Sequence, residues 1–214
     1  MQFNEVNKML KRIEIEAKTE NDALTKAQES LRIAKNKIKL EIIKEKNGIL
    51  GIGKSTTYVA TPNIDLGVEG KNYLEKIFEG LEIEAKMEYR ILNDGDEIRY
   101  RIESEENAIL IGREGRNLSA IQYLLRNYLS IFTENHIMVS LDIGDYNETR
   151  KRQLEILATK TAKEVARTKI SVKLDPMNSF ERRIIHSKLS EWRDVETESD
   201  GEGLERAIII KYRK

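Results

Sequence analysis

The amino-acid sequence predicts an α+β protein made of three small α/β domains. Stretches in which apolar residues alternate, as in strands, are interleaved along the 214-residue chain with stretches of helical periodicity. The longest uninterrupted apolar runs, at residues 108–111 and 207–210, are four residues long, whereas a membrane span needs about 20. The chain is 39% hydrophobic and 35% charged, a balance that suits several small cores with much exposed surface.

Residues 1–62 predict a β-α-β-β domain. Ile13, Ile15 and Ala17 alternate on one face, and Thr19 is suited to cap the helix that follows. The predicted elements are a strand at 11–17, a helix after Thr19, a strand near 38–42, a glycine-rich turn at 48–53 and a strand at 56–61. Pro62 closes the domain, and the Asn, Asp and two Gly residues that follow it indicate a linker over residues 63–71.

Residues 72–146 predict a domain with the order α-β-β-α-α-β. An alternating pair of segments flanks the turn-forming cluster at residues 93–96, which is a strong hairpin signal. The predicted elements are a helix near 73–81, strands near 85–91 and 98–102, a short helix at 107–111, a long helix at 118–132 and a strand at 137–143.

Residues 147–214 predict the third α/β domain. Asp175 and Pro176 interrupt the chain between two helical segments. The predicted elements are a helix at 148–167, a helix from Asn178 or Ser179 to Leu189, and strands at 195–197 and 207–212 around the turn at 199–203.

Composition excludes several kinds of chemistry. The chain has no cysteine, so it has no disulfide framework, no thiol catalysis and no Cys-ligated metal, and we expect a cytoplasmic protein. The first ten residues lack the apolar core of a secretory signal. His136 and His186 are too few and too far apart in sequence for a local His-rich metal site, so we expect neither metal nor cofactor.

The net charge of zero conceals an uneven distribution. Residues 1–62 carry 12 Lys and Arg against 8 Asp and Glu, and residues 151–214 carry 15 against 11. Residues 63–150 carry 10 against 18. An acidic centre between two basic ends steers nucleic acid weakly, so any binding must come from local patches.

The first candidate binding motif is Gly112-Arg113-Glu114-Gly115, between two predicted helices. Two glycines let the backbone approach a phosphate closely, and N–H groups that open the next helix favour an anion. The flanking candidates are two cations, Arg113 and Arg116, and two apolar residues suited to unstacked bases, Ile109 and Ile111. Alone, G-x-x-G also fits an ordinary turn, but within α-β-β-α-α-β it resembles the loop of a type II KH domain.

The second motif is the helical pair Arg182 and His186, which lie four residues apart and therefore on one helix face. Such a pair can contact phosphate, and an imidazole can stack on a base. Within a small C-terminal α/β domain it resembles the Arg-xxx-His (R-three-H) module for single-stranded nucleic acid. The resemblance adds Arg183 and Arg206 as candidates; the alternative is an exposed helix with an incidental pair.

The third motif, from Gly48 to Ser55, satisfies the P-loop pattern G-x-x-x-x-G-K-[ST]. A P-loop needs a helix after it, yet residues 55–59 are β-branched and aromatic. A tight glycine turn between strands and a nucleotide hydrolase are therefore competing interpretations. Residues 46–53 also resemble the Lys-x-Gly-x-Leu-Gly signature of the Jag N-terminal domain.

The three motifs in this order resemble the Jag, or SpoIIIJ-associated, family of bacterial RNA-binding proteins, also called KhpB or EloR. The resemblance extends from about residue 11 to residue 212. It implies a non-enzymatic regulator that binds single-stranded RNA, with single-stranded DNA as an alternative ligand. It also implies links to cell elongation and division, a smaller KH partner protein and a membrane insertase, and leaves a homo-oligomer open.

An interaction scaffold is the remaining alternative to RNA binding. In that hypothesis the N-terminal domain binds a protein partner around its glycine-rich turn. The candidate partner-binding residues are Lys46, Gly48, Leu50, Gly51 and Gly53.

Overall fold

The computed structural model describes residues 9–46, 55–93 and 96–213. The chain divides into two compact units, Met1–Gly144 and Asp145–Lys214. The described residues contain three sheets of three strands each, with helices in every domain. The predicted α+β class with three small domains is therefore confirmed. Within the described residues, no helix is both long and apolar enough to cross a bilayer.

The N-terminal domain has the predicted β-α-β-β order. Its elements are β1 (Ile13–Ala17), α1 (Glu20–Leu31), β2 (Ile38–Lys46) and β3 (Ser55–Pro62). Thr19 caps α1 by accepting a hydrogen bond from the Asp22 N–H at 3.2 Å, as its position before the acidic first turn predicts. Strand β3 lies between β1 and β2 and is antiparallel to both.

The second domain has the predicted α-β-β-α-α-β order. Its elements are α2 (Leu66–Gly80), β4 (Lys86–Leu92), β5 (Glu97–Glu103), α3 (Asn107–Ile111), α4 (Arg116–Ser130) and β6 (Met138–Ile143). Strand β5 is central, antiparallel to β4 and parallel to β6. The parallel pairing follows from the two helices that carry the chain from β5 back to β6.

The segment expected to be a linker, residues 63–71, contains the start of α2. Asp65 caps that helix by accepting from the Val68 N–H at 2.9 Å. Gly67 and Gly70 suggested a flexible connection, but both are buried in the first turns of the helix. Their role depends on partners far away in the sequence.

Helix α2 lies directly on two tyrosines of the sheet. A Cβ atom added at Gly67 would lie 2.1 Å from Tyr89 Cε2, and one added at Gly70 would lie 2.1 Å from the Tyr100 hydroxyl oxygen. Tyr100 is fully buried and its hydroxyl donates to the Leu66 and Gly67 carbonyls at 3.2 and 3.1 Å. Burial raises the pKa of Tyr100, so the hydroxyl stays a donor.

The N-terminal domain joins the second domain within the same compact unit. The Lys11 N–H donates to the Phe132 carbonyl at 2.9 Å, and the Lys37 ammonium lies 2.5 Å from the carboxylate of buried Glu69. The Tyr128 hydroxyl donates to the same carboxylate. Burial raises the pKa of Glu69, but the hydrogen bonds from Lys37 and Tyr128 and the charge of Lys37 outweigh it and lower that pKa overall.

The C-terminal unit packs two helices on a small antiparallel sheet of order β7-β9-β8. Its elements are α5 (Tyr146–Thr168), β7 (Val172–Lys173), α6 (Ser179–Leu189), β8 (Val195–Asp200) and β9 (Ala207–Tyr212). The core residues are Leu154, Ala158, Ala162, Val165, Ile185, Leu189, Val195, Ile208 and Ile210. Periodicity did not predict β7, which is only two residues long.

We expect Gly70→Ala to destabilise the protein by about 1–3 kcal/mol, because the new methyl group overlaps a tyrosine that has no space to move. Gly80→Ala is the matched control, since the same helix leaves open space within 4 Å of its Cβ position. The control should leave stability unchanged or raise it by up to about 1 kcal/mol. Urea unfolding measures both, and equal stabilities would show that α2 does not need this close approach.

Candidate nucleic-acid interface

The Gly112–Gly115 loop turns the chain between α3 and α4. Gly112 has φ 69° and ψ 179°, and a Cβ atom there would lie 2.6 Å from Asn117 Cγ. Gly115 has φ 75°, and Glu114 between them has φ 56°. Three residues with positive φ in four positions produce a sharp turn that L side chains rarely adopt. The position of Gly112 therefore requires glycine for both conformation and space.

Asn117 holds the loop in this conformation. Its side-chain Nδ2 donates to the Ile109 carbonyl at 2.8 Å, which ties the first turn of α4 to α3. The Gly112 N–H donates to the Ala108 carbonyl at 2.9 Å and closes α3. Sequence reasoning missed Asn117; its only local signal is an amide side chain in the first turn of a helix directly after a glycine loop.

The start of α4 presents donors and positive charge. Gly115 precedes α4, and no side chain caps this end of the helix within the described residues. Its first N–H groups therefore carry the partial positive charge of an uncapped helix N-terminus. Arg113 and Arg116 are exposed beside them, while Glu114 is half-buried and adds an opposing charge.

Apolar residues flank the loop on the α3 side. Ile109 is 59% exposed and Ile111 is half-buried, whereas Leu110 between them is buried in the core. The buried leucine anchors the short helix and leaves Ile109 at the surface. Of the seven residues predicted for this site, from Ile109 to Arg116 without Leu110, six are at least partly exposed, whereas Gly115 is buried.

In the C-terminal unit, α6 brings Arg182 and His186 to one face, as their spacing predicts. His186 Nδ1 forms a hydrogen bond of 2.6 Å with the Thr197 hydroxyl on β8. The imidazole is exposed, and its Nε2 makes no hydrogen bond within the described residues. Thr197 of β8 fixes the orientation of the imidazole ring. Sequence reasoning missed this residue, because only the fold of the domain brings β8 next to α6.

Arg206 joins the pair through the backbone of Met177. Arg182 Nη1 donates to the Met177 carbonyl at 2.6 Å, and the Met177 N–H donates to the Arg206 carbonyl at 3.2 Å. Burial and the positive charge of Arg206 lower the pKa of Arg182. Two cations held this close favour an anion between them.

Arg183 does not share this face. It lies with Phe180 and Ile184 along an open groove between α5 and α6. Successive helical residues point about 100° apart, so a residue next to Arg182 in sequence points elsewhere. Arg182, His186 and Arg206 therefore form one cluster, and Arg183 belongs to a different surface.

A buried ion pair positions α6. Asn178 and Glu181 form a reciprocal capping box at its start. The Glu181 carboxylate also accepts from Arg150 Nε of α5 at 2.7 Å. Both ends of the bond are shielded from water, so it fixes the first turn of α6 and with it the direction of Arg182.

The residues that flank the glycine-rich segment do not have the order of elements that a P-loop requires. Gly48, Leu50, Gly51 and Gly53 lie outside the described residues, but Ser55 begins β3 and pairs with Lys46 of β2. A strand thus follows the segment where a P-loop requires a helix. Ser55 and Lys46 both bond to the Glu16 carboxylate, at 2.6 and 3.1 Å, and lower the pKa of Glu16.

Comparison with known proteins finds three family models along the chain. The Jag N-terminus model matches residues 15–59, the KhpA/KhpB KH domain model matches residues 71–143, and the R-three-H domain model matches residues 152–212. These matches are in the order that the sequence motifs predict. They assign the glycine loop to the KH domain and the Arg182 cluster to the R-three-H domain.

Full-length relatives are also similar to the chain. The RNA-binding protein KhpB of Clostridium symbiosum is 34% identical over 204 residues, which cover 94% of this chain and 92% of that protein. The RNA-binding protein KhpB of Bacillus subtilis (strain 168) is 34% identical over 199 residues, which cover 91% and 95%. A third, from Lactiplantibacillus plantarum, is 40% identical over 112 residues, which cover 52% of this chain and 35% of that protein.

We expect Asn117→Ala to loosen the loop, because it removes the hydrogen bond from the side chain to the Ile109 carbonyl. Amide hydrogen exchange at residues 112–117 should accelerate, while global stability falls by about 1 kcal/mol. Asn127→Ala is the control, since this exposed side chain of α4 makes no hydrogen bond within the described residues. Unchanged exchange in Asn117→Ala would mean that the glycines alone hold the loop.

Proposed function

The chain belongs to the KhpB family of RNA-binding proteins, and from that premise we propose that it binds single-stranded RNA at the Gly112–Gly115 loop. The cluster of Arg182, His186 and Arg206 provides a second contact. We assign the chain no catalytic step of its own. The observation that carries the proposal is the loop: a pre-formed turn at an uncapped helix start, with a cation on either side of Glu114.

The loop geometry suits a sugar-phosphate backbone. The absence of a side chain at Gly112 leaves room for Asn117, which sets the loop conformation, and the N–H groups at the start of α4 attract phosphate oxygens. A KH loop grips about four nucleotides in this way. Exposed Ile109 would then contact the unstacked bases next to the gripped phosphates.

The loop alone should bind modestly. Glu114 lies in the loop, and residues 63–150 carry 10 basic against 18 acidic residues. A second site on the same chain raises the effective concentration of RNA at the first, so two weak contacts can combine into a firm one. The basic cluster of the R-three-H domain supplies such a contact, with the free Nε2 of His186 available to a phosphate or base.

Several consequences of the family resemblance stay predictions. They are binding of single-stranded DNA, a role in cell elongation and division, a smaller KH partner, a membrane insertase and homo-oligomerisation. The N-terminal glycine turn around Lys46 remains the candidate contact for a protein partner.

Replacing Gly112 and Gly115 together by Asp should weaken binding of an unstructured RNA about tenfold or more, because the new side chains would displace Asn117 and add two negative charges to the loop. Fluorescence anisotropy measures the affinity at several salt concentrations. A control is Gly80→Asp, which adds one carboxylate in open space on α2. Wild-type affinity in a folded loop variant would contradict the proposed site.

Replacing Arg182 and His186 together by Ala should weaken binding roughly five- to tenfold and reduce the salt slope by about 0.7, the contribution of one phosphate on a single strand. The control removes the same residue types elsewhere, as Arg167→Ala with His136→Ala, both exposed. If the two double variants bind equally well, the R-three-H cluster is not a contact. Circular dichroism and thermal unfolding establish that both remain folded.

A further inference from the structure

An open groove runs between α5 and α6 in the C-terminal unit. It consists of two adjoining depressions of about 540 and 460 Å³, which share Glu155 and Lys188. The groove lies on a face of α6 that the Arg-xxx-His motif does not use. At about 100° per residue, the mean direction of Phe180, Arg183 and Ser187 is roughly 110° away from that of Arg182 and His186.

The groove has a large excess of positive charge. Its one carboxylate is Glu155, and its cations are Lys151, Arg152, Lys160, Lys163, Arg183 and Lys188. Lys188 lies 3.9 Å from Glu155, and Arg152 pairs with Glu148 at 3.2 Å. The other four cations form no ion pair within the described residues. This concentration of charge occurs on a chain whose net charge is zero.

Exposed apolar groups accompany these cations. The Phe180 ring is 62% exposed and lies in the same depression as Arg183, and Ile156 is 69% exposed in the other. An aromatic ring beside cations is the combination that binds single-stranded nucleic acid, since bases stack on the ring while cations contact phosphates. Lys151, Lys160 and Lys163 extend over about 18 Å along the axis of α5. Lys151 points about 180° away from Lys160, so these cations follow the curved surface of the helix and not a straight line.

We propose that the α5–α6 groove binds the backbone of single-stranded RNA, with a base stacked on Phe180. The R-three-H domain thus has RNA contacts on two different faces of α6. The inference rests on the proposed function, because it extends the RNA beyond the KH loop and the Arg182 cluster. Arg183, which does not share a face with Arg182, acts in this groove.

The test compares two triple variants that remove equal charge. The groove variant removes three unpaired cations of the groove, by Lys151→Gln, Lys160→Gln and Lys163→Gln. The control variant removes three exposed lysines outside the groove, by Lys18→Gln, Lys44→Gln and Lys86→Gln. Affinities are measured for unstructured RNAs of about 5 and about 20 nucleotides. The groove variant should bind the long RNA about tenfold more weakly, with a salt slope lower by about 2, and the short RNA normally.

Phe180→Leu tests the stacking contact separately. It keeps an apolar side chain but removes the ring, so long-RNA affinity should fall about three- to tenfold while the salt slope stays constant. In parallel, a photoreactive uridine in the long RNA should crosslink to α5 and α6 peptides in the wild type and much less in the groove variant. Thermal unfolding establishes that all variants are folded.

The outcomes separate the two proposals. If the wild-type chain binds neither RNA, the proposed function fails. If the wild type binds and the Asp variant of the KH loop does not, while the groove variant equals its control, only the groove inference fails. If polyglutamate binds in the groove and the triple Gln change leaves long-RNA binding intact, the groove serves an acidic protein, and the inference is also overturned.

Discussion

The close contact between α2 and the tyrosines of the sheet is the constraint on which the packing around α2 depends. Gly67 and Gly70 have no side chains, so the helix backbone rests on Tyr89 and Tyr100. At this depth Glu69 is buried and meets Lys37 of the N-terminal domain and Tyr128 of α4. The helix expected to follow a linker thus connects the N-terminal domain, the KH sheet and the helix that carries the loop.

Because α4 is held along its length, its N-terminal end can present a strained turn. Positive φ angles at Gly112, Glu114 and Gly115 are unfavourable for most residues, and the Asn117 hydrogen bond to α3 maintains them. A loop already in its binding conformation loses little entropy when a ligand arrives. This pre-organisation compensates in part for an acidic domain and for Glu114 inside the loop.

The R-three-H domain distributes its charge differently. One face of α6 is buried by Ile185 and Leu189, a second presents Arg182 and His186, and a third lines the α5–α6 groove. The first two faces follow from local spacing, but the groove needs the basic residues of α5 beside it. RNA contacts on two faces would make the affinity depend on RNA length and salt, which suits a chain without net charge.

The sequence by itself determined the order of the elements, the α+β class, the two motifs and the family, because periodicity, capping residues and glycine spacing are properties of neighbouring residues. The β-branched and aromatic residues after Gly53 likewise predicted the strand that begins at Ser55 and argued against a P-loop. Tertiary structure alone decided that residues 66–71 are helical, that Asn117 and Thr197 hold the site residues, and that Arg183 lies beside residues of α5. Most of these features depend on contacts between residues distant in sequence. No local pattern shows that Gly70 lacks a side chain because Tyr100, thirty positions later, fills the space.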